Sequence, residues 1–170
     1  MLPAPELPLI KMMSEIRNPQ MSHISTVIPN DVWLVIRNRV RKYGITLASF
    51  LLGAYSEVLG KWSRHQKFTI NLTRFNRQPV HKDVNSVVGD FTTLIMLSID
   101  NTKSENFIGR CINIQKELWN ILEHPYVSGV EIQRKYAKGN RFKENGVMPV
   151  VFTSGLGLEI NTNENADFGK

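Results

Sequence analysis

A single cysteine, Cys111, stands in the 170 residues, so neither a disulfide framework nor a cysteine-built metal site is available. It falls on the apolar face of a predicted helix, where a buried and inert thiol is expected. Such sparing use of cysteine suits a reducing compartment. No apolar run reaches membrane-spanning length. The opening "MLPAPELPLI" lacks the basic start and apolar centre of a secretion signal. Cytoplasm is therefore the expected location, with no membrane partner. The four histidines, His23, His65, His81 and His124, are far apart and show no H-x-x-x-H spacing, so each reads as a surface or loop residue and no metal is expected. There is no G-x-x-x-x-G-K or G-x-G-x-x-G phosphate loop and no G-x-S-x-G elbow. "DFG" at 167–169 shares only its letters with kinases, because every other kinase element is absent.

What is present suits one domain, or one lobe of a larger one. The chain is 42% hydrophobic and carries three Trp, eight Phe and four Tyr, enough to bury a core. The net charge is +6, with clusters at Arg37, Arg39, Arg41 and Lys42 and at Lys61, Arg64 and Lys67. A scattered excess reads as a solvated surface, and a phosphate-rich partner is the sharper alternative. No basic block is interleaved with aromatics, so a nucleic-acid partner is not expected.

Periodicity yields helix, helix, strand, strand, helix, helix, strand. "LPAPELPL" is a stiff extended strap held by three prolines, and not a core element. "HISTVIP" (23–29) is a short β-prone run. A helix follows from the N-cap Asn30 to a stop at Gly44. A second helix (46–62), capped by Thr46, is apolar nearly all round and so central to a core. "KFTINLTRFNRQP" alternates, with Phe68, Ile70, Leu72 and Phe75 facing one way, as a half-buried strand does. "TTLIMLSID" (92–100) is a continuous apolar run, read as the central strand. A long amphipathic helix (104–124) starts at Ser104. "SGVE" forms a capping box from Ser128 to Glu131 for a short helix to about Lys138. "VMPVVFTSGLGLEI" supplies one or two further strands. The fold class is α/β, a mixed sheet flanked by helices.

Polar residues at strand ends are the remaining candidates for chemistry. Asp90, Thr92 and Thr93 open the apolar strand; Thr153 and Ser154 close "PVVF". A carboxylate and a hydroxyl held at the end of a rigid sheet can relay protons. Equally, Asp90 can cap a turn with Gly89 while Thr153 and Ser154 satisfy backbone groups. Asp90 is expected to bond to backbone N–H groups or an arginine, since an unpartnered buried carboxylate is costly.

Four stretches in order resemble the heterocyclization domains of nonribosomal peptide synthetases, within the condensation-domain superfamily. "LPAPELPL" is similar to the family's Pro-rich linker and "TLASFLLGAYSEVLGKW" to its helix motif. "GDFTTLIMLSID" matches GDFTxLxLLxxD, and "PVVFTSGL" matches PVVFTSxL. The last two are specific. The resemblance spans almost the whole chain. It implies one lobe of a chloramphenicol-acetyltransferase-like two-lobed fold, with a tunnel between the lobes. Residues 1–22 would be the Pro-rich inter-lobe linker and 23–170 the C-terminal lobe, the N-terminal lobe being absent. The family's DxxxxD pair, its downstream QTPQVWLD-like stretch and the HHxxxDG of condensation domains do not occur here, and "NADFGK" departs from the pattern.

The resemblance implies condensation of a carrier-bound acyl or peptidyl thioester with carrier-bound Cys, Ser or Thr. Cyclodehydration to a thiazoline or oxazoline follows, in secondary-metabolite biosynthesis. It assigns Thr153 to cyclodehydration and Asp90 second, with Phe91, Thr92 and Ser154 lining the site. No cofactor is expected to bind directly; the phosphopantetheine arms belong to the partner carrier proteins. Those carriers and the N-terminal lobe are the implied partners, and the fragment alone is expected to be inactive. Two other readings stay open. One is a non-catalytic single-lobe piece that binds carriers. The other is a stand-alone coenzyme-A acyltransferase, which needs a motif histidine not visible here.

Overall fold

The computed structural model describes residues 2–12, 15–103, 106–124, 126–137 and 148–156. The elements are α1 (Asn30–Lys42), α2 (Leu47–Trp62), β1 (Lys67–Phe75), β2 (Thr92–Asp100), α3 (Phe107–Leu122), α4 (Gly129–Ala137) and β3 (Val151–Phe152), with one 3-10 turn at Val84–Ser86. Their order is the one the periodicity predicts.

Local chemistry sets most of the helix ends. Thr46 caps α2 by accepting a hydrogen bond from the Ser49 amide at 3.1 Å. Gly44 ends α1 at φ 66, the left-handed region that glycine enters without strain. Two caps differ from expectation. Asn30 is the first residue of α1, behind Pro29 as N-cap. Asn106 caps α3 by accepting from the Gly109 amide at 2.8 Å, while Ser104 lies outside the described residues. The corner between α1 and α2 is held from a distance. Gln115 on α3 donates to the Gly44 carbonyl and accepts from the Thr46 amide, at 2.9 and 2.7 Å.

The strand order is β2-β1-β3. β1 pairs antiparallel with β2, from Lys67↔Asp100 to Phe75↔Thr92. It pairs parallel with β3 through Asn71↔Val151 and Leu72↔Phe152. The sequence reading of the two long strands is thus reversed. Among the described residues β1 is the middle strand and the apolar β2 is an edge. An edge can be apolar when another element covers it, and α4 lies against β2 with Gly129 beside the Leu94 carbonyl. β1 looks half-polar because two of its polar side chains are buried with partners. Thr69 donates to the Leu2 carbonyl at 2.9 Å, and Asn71 to the Met148 carbonyl at 2.7 Å. Phe75 lies on the Thr69–Asn71 face, opposite to the face predicted, and is 67% exposed.

The core lies on the other face. Leu52 and Leu59 of α2 and Ile114 of α3 pack there on Phe68, Ile70, Leu72, Ile95, Leu97 and Ile99. α2 is not apolar on every buried position. Its inward face alternates Leu52 and Leu59 with Ser49, Gly53, Ser56 and Gly60, while Val58 and Trp62 are mostly exposed. The small residues let α3 approach closely, since a Cβ on Gly53 would lie 2.5 Å from the Cys111 sulfur. The N-terminal strap, read as lying outside the core, is seated against the sheet. Pro5 is buried, and the Thr69 and Arg64 amides donate to the carbonyls of Pro3 and Glu6 at 2.7 and 3.0 Å. "HISTVIP" forms no strand, and Ile24 and Val27 are exposed.

Gly129→Ala tests the cover over β2. The new Cβ would meet the Leu94 carbonyl oxygen at 2.7 Å and its carbon at 3.0 Å. These are backbone atoms and cannot rotate away. We expect a loss of about 1–3 kcal/mol in urea unfolding, the usual cost of overpacking.

Candidate functional site

The register brings the candidate residues to one end of the sheet. β2 begins at Thr92 opposite Phe75, and the parallel β3 ends at Phe152 opposite Leu72. The start of β2 and the end of β3 therefore both lie towards the C-terminal end of β1. Paired residues share a face. The alternation, continued past Phe152, puts Thr153 on the face of Thr73, Phe75 and Thr92, and Ser154 on the helix-covered face. Thr92 and Thr153 are both exposed, on strands separated by β1. Two strand spacings, roughly 10 Å, separate those strands, so the two hydroxyls do not bond to each other but can flank a substrate.

Ser154, half-buried, lines a cavity of about 180 Å³ with Leu52, Leu72, Ile95, Leu118, Leu122 and Phe152 among its walls. Its hydroxyl accepts from the Leu156 amide at 3.4 Å. Phe91 is half-buried beneath the Arg77 guanidinium, which stands 3.9 Å from the ring centre. Its carbonyl accepts from the Asn76 amide at 2.9 Å.

Asp90 is exposed, and its carboxylate accepts from the Thr92 amide at 2.8 Å. Hydrogen bonds from Thr92, side chain first and backbone second, hold its carboxyl below the usual range. At neutral pH it is a carboxylate and a weak base, better suited to orienting a donor than to taking its proton. The backbone partner expected for it is present, but the burial that was the reason for expecting one is not: the carboxylate faces solvent, and β1 separates its strand from the one leading to Thr153.

Periodicity gave no sign of Asn71. Its side chain alternates outward in a strand that reads as half-buried, yet it is 2% exposed. Its amide donates to the Val150 carbonyl at 3.0 Å, and its Nδ2 to the Met148 carbonyl at 2.7 Å. Its Oδ1 accepts from Gln133 Nε2 at 2.8 Å. β3 is only two residues long, and this side chain adds a second hold on the segment that leads into Thr153. A buried Asn with both ends used cannot be told from a surface Asn by period alone.

Elsewhere the chemistry is quiet. Burial, and then the Glu57 carboxylate, push the Cys111 thiol up to about 11, as suits an inert side chain. His65 and His81 stand beside Glu6 and Asp83, at 3.2 and 3.6 Å. Among the described residues no three metal-ligating side chains gather, and no helix is long and apolar enough to cross a membrane.

Residues 1–166 match the family described as Condensation domain. Bacitracin synthase 1 of Bacillus licheniformis is 39% identical over 154 residues, which is 90% of this chain and 3% of the relative. Phenyloxazoline synthase MbtB of Mycobacterium tuberculosis is 38% identical over 121 residues, 71% of this chain and 8% of the relative. In a crystal structure, the EpoB NRPS cyclization-docking bidomain from Sorangium cellulosum aligns at a TM-score of 0.81 with 39% identity, over 92% of this chain and 31% of that one. The chain thus spans less than a tenth of these curated relatives and about a third of the bidomain.

Proposed function

The chain belongs to the condensation-domain family, and from that premise we propose that it is the C-terminal lobe of a heterocyclization domain of a nonribosomal peptide synthetase. The observation that supports this reading is that Thr153 and Thr92 are both exposed, on strands that run to the same end of the sheet. They come from the two stretches most specific to such domains. One relative is by name a phenyloxazoline synthase, and the structural neighbour is a cyclization domain, which favours ring formation over condensation alone.

In the first stage an amine on one carrier attacks an acyl thioester on another. The carbon–sulfur bond breaks, an amide forms, and the phosphopantetheine thiol leaves with a proton. In the second, the Cys, Ser or Thr side chain of the new amide adds to the amide carbonyl, and the former carbonyl oxygen departs as water. Thr153 supplies a hydroxyl that can donate to that departing oxygen and accept in return. Asp90 orients donors at the opposite side of the site, and Phe91, Thr92 and Ser154 shape its walls. Residues 1–22 serve as the inter-lobe strap, and the N-terminal lobe supplies the other half of the tunnel. The partners are carrier proteins bearing phosphopantetheine, in the cytoplasm.

The test uses the complete two-lobed domain with an acyl-loaded donor carrier and a cysteine-loaded acceptor carrier. A released product lighter than the linear amide by one water is expected. Linear amide alone, from a domain with both lobes present, would remove the cyclising role. The 170-residue chain by itself is expected to give neither product.

A further inference from the structure

We propose that Arg77 is a positioning residue that holds the Asp90–Phe91–Thr92 corner at the reaction end of the sheet; this rests on the heterocyclization reading of that end. Residues 76–91 connect β1 to β2. From 78 to 90 every residue is exposed except the half-buried Val84, so the connection has almost no apolar core of its own. A segment with few buried contacts opens easily unless something polar ties it down. Arg77 is that tie. Its guanidinium carbon lies over the Phe91 ring, 3.9 Å from the centre. Its Nη1 donates to the carbonyls of Val84 and Val87, the second at 2.9 Å. The Asn76 amide closes the base of the loop on the Phe91 carbonyl at 2.9 Å.

Arginine suits this geometry. Its broad, weakly hydrated guanidinium can lie against a ring and donate to carbonyls at once, whereas a lysine ammonium is compact and strongly hydrated and gives up more to leave water for a ring. Phe91 stands between Asp90 and Thr92 in the chain, and the Thr92 amide is the donor that holds the Asp90 carboxylate. Fixing the ring therefore fixes the backbone on which both polar groups sit.

Two measurements test this together. In the 170-residue chain, Arg77→Lys and Arg77→Ala should raise the rate of tryptic cutting after Lys82 by about tenfold, with the thermal midpoint little changed. Phe91→Leu should do the same, and adding Arg77→Lys to it should have little further effect, as expected when two side chains act through one contact. In the complete domain with cysteine-loaded carrier, Arg77→Lys should lower the ratio of cyclised to linear product while the protein stays folded. Native cutting at Lys82 in all variants would overturn the proposal. So would a freed loop with an unaltered product ratio. Thr153→Ala, assayed alongside, separates the two failures. If it leaves cyclisation intact, the reading of the site fails. If it removes cyclisation while the Arg77 variants do not disturb it, the positioning role alone fails.

Discussion

Thr153→Ala is expected to lower the cyclised product about 100-fold, the lower range for losing a positioned proton-transfer group, while linear amide continues to form. The split follows from the two stages. Amide formation expels a thiol, a good leaving group that needs little help. Ring closure must expel an amide oxygen as water, and that oxygen needs a proton. Thr153 stands exposed, beyond the Asn71↔Val151 and Leu72↔Phe152 pairs. Its hydroxyl has room to reach a substrate, and its removal takes nothing from the core. Thr153→Ser should keep most cyclisation, because it keeps the hydroxyl. The two products are separated by mass after release from the carrier. A parallel fall in both would make Thr153 a general binding residue.

The second large effect is on stability. Asn71→Leu keeps the volume and removes both ends of a buried hydrogen-bonded side chain. The Met148 carbonyl, on a residue 5% exposed, would lose its donor, and Gln133 would lose its acceptor. A buried polar group left unpaired costs about 1–3 kcal/mol, so a loss of roughly 2–4 kcal/mol is expected in urea unfolding. Gln133→Leu should cost less. Gln133 is half-exposed and leaves only the Asn71 oxygen wanting, with the bond to Met148 intact. Because β3 is so short, Asn71→Leu should also loosen the chain before Thr153 and lower ring closure more than amide formation. A variant of native stability would show that Met148 finds another donor, and the anchoring role would be lost.

The helices and strands were legible because each is announced by local chemistry. The Thr46 cap of α2 and the Gly44 stop of α1 are both readable from neighbours within a few residues. The candidate site was legible in part, through the resemblance of "GDFTTLIMLSID" and "PVVFTSGL" to one family. Its supports were not. Arg77 meets Phe91 across thirteen intervening residues, and Asn71 meets Met148 at a separation of 77. Neither separation leaves a period or a motif.

The sequence by itself determined the element order, several of the helix ends, the absence of a cysteine framework and the stretches that point to the family. Only the tertiary structure decided which strand is central. An apolar run looks the same whether its cover is a neighbouring strand or, as at Gly129, a helix end laid along its edge. A polar residue likewise looks the same whether it meets water or, like Thr69 and Asn71, a backbone carbonyl brought from far along the chain. Burial depends on the partner, and the partner is set by folding over distances that no local pattern records.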